Sequence, residues 1–214
     1  TLPNYVDYIF TISNKDFIFF KKIFPDKTHN IPVTFEIENN KVKKLDSSVV
    51  HLGAMDWKPN IEGVSWFISN VYPLLIDDNI KCFFAGKNMP NNLLKRSDKN
   101  LYIEGLVINS KQYIENKNIL IVPLFSGSGI RIKILESMSI GTPVISTTKG
   151  AQGIPYTNGE NIIIANTPQE FRDSIYQLVT NQNLAFKIGN NGKMLIKSKF
   201  SNTFVLNKLN EILK

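Results

Sequence analysis

The sequence predicts an α/β fold built on a parallel, doubly wound sheet, and three features carry that expectation. Short strand-like runs alternate with helix-period patterns along most of the chain, the order that builds βα units. One run, Ile119–Val122, is apolar throughout, as a strand covered on both faces must be. Between residues 118 and 153 the chain then passes through a Gly-rich turn, a helical pattern and a further strand-like run. Such a unit offers backbone amides and the positive end of a helix dipole to an anion.

Taken in order, the expected strands are Tyr8–Ile12, Val33–Ile37, Val49–Leu52, Lys81–Ala85, Leu101–Ile103, Ile119–Val122, Val144–Ser146 and Asn161–Ile164. A helix reaching about Phe24 follows the first. Glu38–Ser48 is polar and charged and reads as a mobile surface loop. Ile61, Val64, Ile68, Val71 and Leu75 form one apolar stripe. It is entered through Pro59 and Asn60, which suit a first turn and a cap. Pro168–Val179 is a second helix, and Thr167 with Glu170 three residues later makes a capping box. Leu184–Ser198 and Asn202–Leu213 close the chain as helices. Trp57, Trp66, His51 and Cys82 read as core, and His29 as a loop residue; neither histidine has metal-ligand spacing.

The central unit carries the chemistry. Ser126–Gly129 is a small loop whose backbone can approach a ligand closely. Ile130, Ile134 and Met138 then recur at helical spacing, and Gly141 and Pro143 end the helix. Arg131 and Lys133 fall in its first turn, where the dipole disfavours cations by roughly 0.3–1 kcal/mol each. An anion at the same end reverses that penalty. Two readings stay open: cations gathered for an anion, or side chains in solvent with Lys133 and Glu136 as a surface pair.

Other classes are less well supported. The net charge is +7 over 214 residues, yet there are only three arginines and the lysines form no stripe, which argues against nucleic acid. Lys41, Lys43, Lys44 and the C-terminal lysines suit peripheral contact with an anionic bilayer. No run reaches the roughly 18 apolar residues of a membrane span, and the first residues do not read as a secretory signal. A single cysteine, Cys82, allows no internal disulfide and fits a reducing cytoplasm. There is no Asp-x-Asp and no phosphate-binding G-x-x-x-x-G-K-[ST]. A dinucleotide fingerprint is incomplete, because Gly127-Ser128-Gly129 reaches Ile132 where its third glycine belongs.

The run Gly127-Ser-Gly-Ile-Arg-Ile-Lys-Ile-Leu-Glu-Ser-Met138, followed by Gly141-Thr-Pro-Val-Ile-Ser-Thr147, resembles the nucleotide-sugar-binding half of family 4 (group 1) glycosyltransferases. Val49–Trp57 with Pro59, Asn60, Gly63 and Trp66 resembles the opening strand and helix of that domain; Phe83–Gly86 and Ile103–Val107 are similar to its next two strands. The likeness spans about residues 49–180. It implies a Rossmann-like doubly wound sheet, the C-terminal half of a GT-B enzyme. On that resemblance residues 1–30 are a remnant of the N-terminal domain, 31–198 the nucleotide-sugar-binding domain and 199–214 a C-terminal helix. The chain opens on Thr1, which fits a piece of a longer protein.

The resemblance also implies roles. Glu136 accepts from ribose hydroxyls; Arg131 and Lys133 face the diphosphate with the amides of Gly127, Ser128, Gly129 and Ile130. Gly105, Leu106 and Val107 meet the base, and Lys58 and Asn60 reach toward the phosphates, with capping the plainer role for Asn60. The family often places a Glu where this chain has Ser128, so the resemblance does not carry over how the sugar hydroxyls are held or which donors apply. The implied reaction is transfer, with retention and without a metal or other cofactor, from a nucleoside-diphosphate sugar to a glycan or lipid-linked acceptor. Its reacting groups lie partly on the absent half, so the isolated chain is expected to be inactive. A nucleotide-binding module or a nucleotide-sugar epimerase or oxidoreductase is the alternative.

Overall fold

A computed structural model describes residues 5–37, 45–96 and 98–214. Its main body is a six-stranded parallel sheet in the order β5-β4-β3-β6-β7-β8. The strands are β3 (Leu45–Leu52), β4 (Lys81–Ala85), β5 (Leu101–Ile103), β6 (Lys117–Val122), β7 (Val144–Ser146) and β8 (Ile163–Ile164). β3 pairs with both β4 and β6, with Val49 opposite Cys82 and Ile119. The strand order therefore reverses between β3 and β6.

Side-chain alternation divides the core into two layers. Val49, Cys82, Ile119, Ile121 and Ile145 pack with Phe67 and Ile68 of α2 (Lys58–Asn70) and Phe171 and Ile175 of α6 (Pro168–Thr180). Val50, Phe83, Leu120, Val122 and Val144 pack on the other face with Ile134, Leu135 and Met138 of α5 (Ile132–Ser139), and with Ile196 of α7 (Gln182–Lys199). Each such side chain contributes about 1.5–3 kcal/mol when fully buried. Burial on both faces is why these strands are apolar without alternation. Short helices α3 (Asn91–Leu94) and α4 (Ser110–Glu115) and the closing α8 (Asn202–Ile212) complete this body.

A smaller unit precedes it. β1 (Ile9–Thr11) and β2 (Thr28–Asn30) form a separate two-stranded parallel sheet, joined by α1 (Asn14–Ile23). His29 thus lies in a strand opposite Phe10, not on a loop; three polar residues gave no strand signal. Val33–Ile37 is not a strand either. Its neighbour is the turn between α7 and α8, which offers one bridge, Phe35 to Ser201, and one hydrogen bond, Phe35 N to Phe200 O at 2.8 Å. β3 begins at Leu45, so Leu45–Ser48 are strand, not loop; residues 38–44, with Lys41, Lys43 and Lys44, lie outside the described residues.

The stripe from Ile61 to Leu75 breaks at Asn70, and Tyr72–Leu75 continue as a 3₁₀ turn, since Pro73 cannot donate to the preceding helix. Cys82 is buried, and burial pushes its thiol up to about 12, as befits an inert core residue. Among the described residues no helix is long and apolar enough to cross a membrane.

Candidate anion-binding crevice

β3 and β6 end side by side, and α2 and α5 begin just beyond them. Ligands of open parallel sheets bind where the strand order reverses in this way. Neither helix has a side-chain cap: the residues before them are Trp57 and Arg131. Both starts therefore leave their first amides without a side-chain acceptor at that end of the sheet.

The Gly-rich loop that closes the crevice is braced from behind. Helix α5 starts at Ile132, later than Ile130, and Arg131 is only 5% exposed. Its guanidinium donates to the carbonyls of Ser128, Gly129 (2.7 Å) and Ser126 (3.3 Å). It also lies over the Trp57 ring at 4.8 Å. Three inward carbonyls turn the loop around the cation and hold Ile130 out of the helix, where it packs on the second core layer. Gly127 has φ +90°, and a Cβ there would come within 2.7 Å of Trp57. No other residue type fits that turn. Arg131 is thus a brace for the loop in this structure; its Nε alone lacks a partner.

Lys133 turns inward. Its Nζ donates to Asn60 Oδ1 at 2.9 Å and lies 3.5 Å from His51 Nε2. Gly53 makes the room: a Cβ there would fall 2.7 Å from Nζ and 2.6 Å from Asn60 Nδ2. The side chain keeps part of its area exposed, but burial of the amine, then the charge of Arg131, pushes its pKa down to about 7. His51 is fully buried. Burial first, then the Lys133 charge, holds it well below its ordinary value. Asn60 does not cap α2. It sits in the first turn, and its Nδ2 donates to Ala54 O at 2.8 Å.

Glu136 lies one turn beyond Lys133, half-buried, and accepts from Ser110 Oγ at 3.1 Å. It forms no ion pair with Lys133 among the described residues, so the surface-pair reading of these two side chains is not realised. Gly105, Leu106 and Val107 follow β5 at the same sheet end. Gly105 O accepts from Gly86 N at 2.9 Å; Leu106 is exposed and Val107 packs on the second core layer. Lys58 stands apart, paired in solvent with Glu62 at 3.5 Å. Ser128 and Gly129 also line a cavity of about 210 Å³ with Lys15, Asp16, Lys149 and Gln152. Trp66 packs edge-on to Phe125 and Phe171 and is a core residue, as expected.

His51, Gly53 and Trp57 are the residues that sequence reasoning did not place in the site. Only Gly53, directly after an apolar strand, carried a signal. Among the described residues no group of three or more His, Cys, Asp or Glu is arranged to hold a metal ion.

Residues 46–181 match the family model described as "Glycosyl transferases group 1". An uncharacterised protein of the cps region of Klebsiella pneumoniae is 27% identical over 192 residues, covering 84% of this chain and 49% of its own length. An uncharacterised glycosyltransferase of Methanocaldococcus jannaschii is 29% identical over 133 residues, 59% of this chain and 37% of its own. The chain thus spans half or less of these relatives. The solved structure of Staphylococcus aureus TarM superposes with a TM-score of 0.78 at 18% identity, over 99% of this chain and 44% of that one. Anabaena HepE, solved with UDP-glucose, gives 0.74 at 14% identity, over 97% and 64%. The C-terminal domain of a Francisella tularensis group 1 glycosyltransferase gives 0.61 at 19% identity, over 79% and 97%.

Proposed function

The chain belongs to the group 1 glycosyl transferases, and from that premise we propose that it is the donor-binding part of the enzyme. It holds a nucleoside-diphosphate sugar for transfer to a glycan or lipid-linked acceptor. The observation that carries this reading is the crevice itself, where two uncapped helix starts and the Lys133 amine converge at the strand reversal.

The diphosphate sits against the amides of the 127–130 loop and the start of α5, with Lys133 as the facing cation. Charge that develops on the departing diphosphate is offset by groups already in place, which is how oriented dipoles lower a barrier. Arg131 acts here through the loop it braces. Glu136 accepts from the ribose hydroxyls, a task suited to a carboxylate with two acceptor oxygens. The backbone at Gly105–Val107 meets the base. Ser128 and the cavity beside it take the sugar. Asn60 borders the phosphates through Lys133; Lys58, paired with Glu62 in solvent, stays outside the site. The reaction proceeds with retention and without a metal, in the cytoplasm at or near the membrane face. The HepE complexes, which hold UDP and glucose or UDP-glucose, make uridine diphosphate the first nucleotide to try.

Residues 1–30 belong to the preceding domain, in keeping with the separate sheet of β1 and β2; residues 31–198 bind the donor and 199–214 carry the last helix, α8. The acceptor side lies in the portion of the relatives that this chain does not span. The isolated chain therefore binds nucleotide but transfers no sugar. A thermal-shift screen with uridine, guanosine and cytidine diphosphates and their sugars, in excess EDTA, tests this. Stabilisation by one nucleotide series is expected. Robust transfer by the chain alone, or binding restored only by magnesium or manganese, contradicts it.

A further inference from the structure

We propose that His51 is a positioning residue for the donor site: with Asn60 it holds the Lys133 ammonium in the crevice, a role that rests on the donor-binding reading above. Its tautomer follows from its neighbours. Nδ1 lies 3.0 Å from Ile121 O, and a carbonyl can only accept, so Nδ1 carries the proton. Nε2 is then a lone pair facing Lys133 at 3.5 Å. Asn60 is fixed by the same logic. Its Nδ2 donates to Ala54 O, which leaves Oδ1 as the acceptor for Lys133 at 2.9 Å.

Two backbone carbonyls, one from β6 and one from the turn after β3, thus set two acceptors on one amine. An ammonium has three donors, and the third is left for an anion. The charges around it make that anion matter. From the loop before α5 comes Arg131, which disfavours the ammonium; β3 contributes neutral His51; α2 contributes neutral Asn60 and the outlying Lys58–Glu62 pair. On α5 itself, Glu136 is engaged with Ser110. No carboxylate pairs with Lys133 among the described residues. A bound diphosphate supplies the absent negative charge, so binding and protonation of Lys133 reinforce one another. Burial already places this amine near neutrality, at about 7. Anion affinity is accordingly highest below that pH and weakens as pH rises through it.

The test compares the parent chain with His51→Phe and His51→Gln. NMR on chains with ¹⁵N-labelled lysine and histidine follows Lys133 and His51 against pH, and calorimetry measures the affinity for inorganic pyrophosphate. In the parent, His51 is expected as the neutral Nδ1–H tautomer, with its Nε2 signal moving as Lys133 titrates. His51→Phe should lower the Lys133 midpoint and weaken pyrophosphate at pH 7 by roughly five- to tenfold, the worth of one hydrogen bond. His51→Gln, whose amide oxygen can replace Nε2, should recover most of that. Pyrophosphate's own ionisation is common to all three proteins and cancels in the ratio. If His51→Phe does not fold, the tautomer and coupled titration in the parent decide alone. A proton on Nε2, or an unchanged Lys133 titration in His51→Phe, overturns the proposal. A His51-dependent titration with no pyrophosphate binding below pH 7 supports the contact and overturns the donor-site reading instead.

Discussion

Helices α5 and α6 rise from the same sheet, yet their first turns are built in opposite ways. At α6, Thr167 Oγ accepts from Glu170 N at 3.2 Å, and the Glu170 carboxylate accepts from the amides of Thr167 and Asn166. Those amides, Asn166 first, hold the carboxyl below its usual range. At α5 no side chain caps the helix, its first turn holds no acid, and the cation Lys133 occupies it. Ser13, Asn109, Asn181 and Ser201 cap α1, α4, α7 and α8 in turn. Among the described α-helices, and apart from the four-residue α3, the uncapped starts are α2 and α5, the two that meet at the strand reversal. A missing cap costs about 1 kcal/mol. Among the described longer helices that cost falls only at the proposed donor site.

Breaking the brace should do the most damage. Arg131→Ala removes a buried guanidinium from three carbonyls, so a stability loss of roughly 2–4 kcal/mol is expected in chemical denaturation, together with weakened nucleotide binding. A neutral outcome would show that the loop holds itself. Glu136→Gln should leave the fold intact but raise the nucleotide dissociation constant roughly 10- to 150-fold, corresponding to about 1.5–3 kcal/mol for hydrogen bonds to a charged group. Unchanged binding would remove Glu136 from the site.

The contrast also has a pH signature. Lys133 in the fold titrates at about 7, below the unfolded value of about 10.4. Between those values the unfolded chain holds more protons, so ligand-free stability should rise with pH, by at most about 1.4 kcal/mol per unit. The parent minus Lys133→Met isolates this slope; no slope in the difference would place the amine in water. The smallest effect belongs to α6. Thr167→Ala should cost about 1 kcal/mol of stability and leave nucleotide affinity unchanged.

Much of the fold was legible because local pattern and tertiary role coincide. Lys81–Ala85, Leu101–Ile103 and Val144–Ser146 are strands with the bounds their composition predicts, and Thr167 with Glu170 forms the expected capping box. Val33–Ile37 has strand composition but, among the described residues, no strand to pair with. The membership of the crevice was legible in part, its wiring was not. Lys133 meets partners 73 and 82 positions away, and no periodicity reports such contacts. Asn60 looked like a cap because that residue type favours caps; a buried amine nearby captured its side chain. Arg131 looked like a ligand for an anion because charge pattern alone does not say that loop carbonyls will turn toward it.

The most direct measurement is backbone amide NMR during titration with inorganic pyrophosphate and then uridine diphosphate, in EDTA. The largest shifts should fall at residues 127–133 and 53–60, at the starts of α5 and α2, while residues 167–170 at the start of α6 stay still. Shifts spread over the surface lysines, or centred away from the β3–β6 reversal, would contradict it.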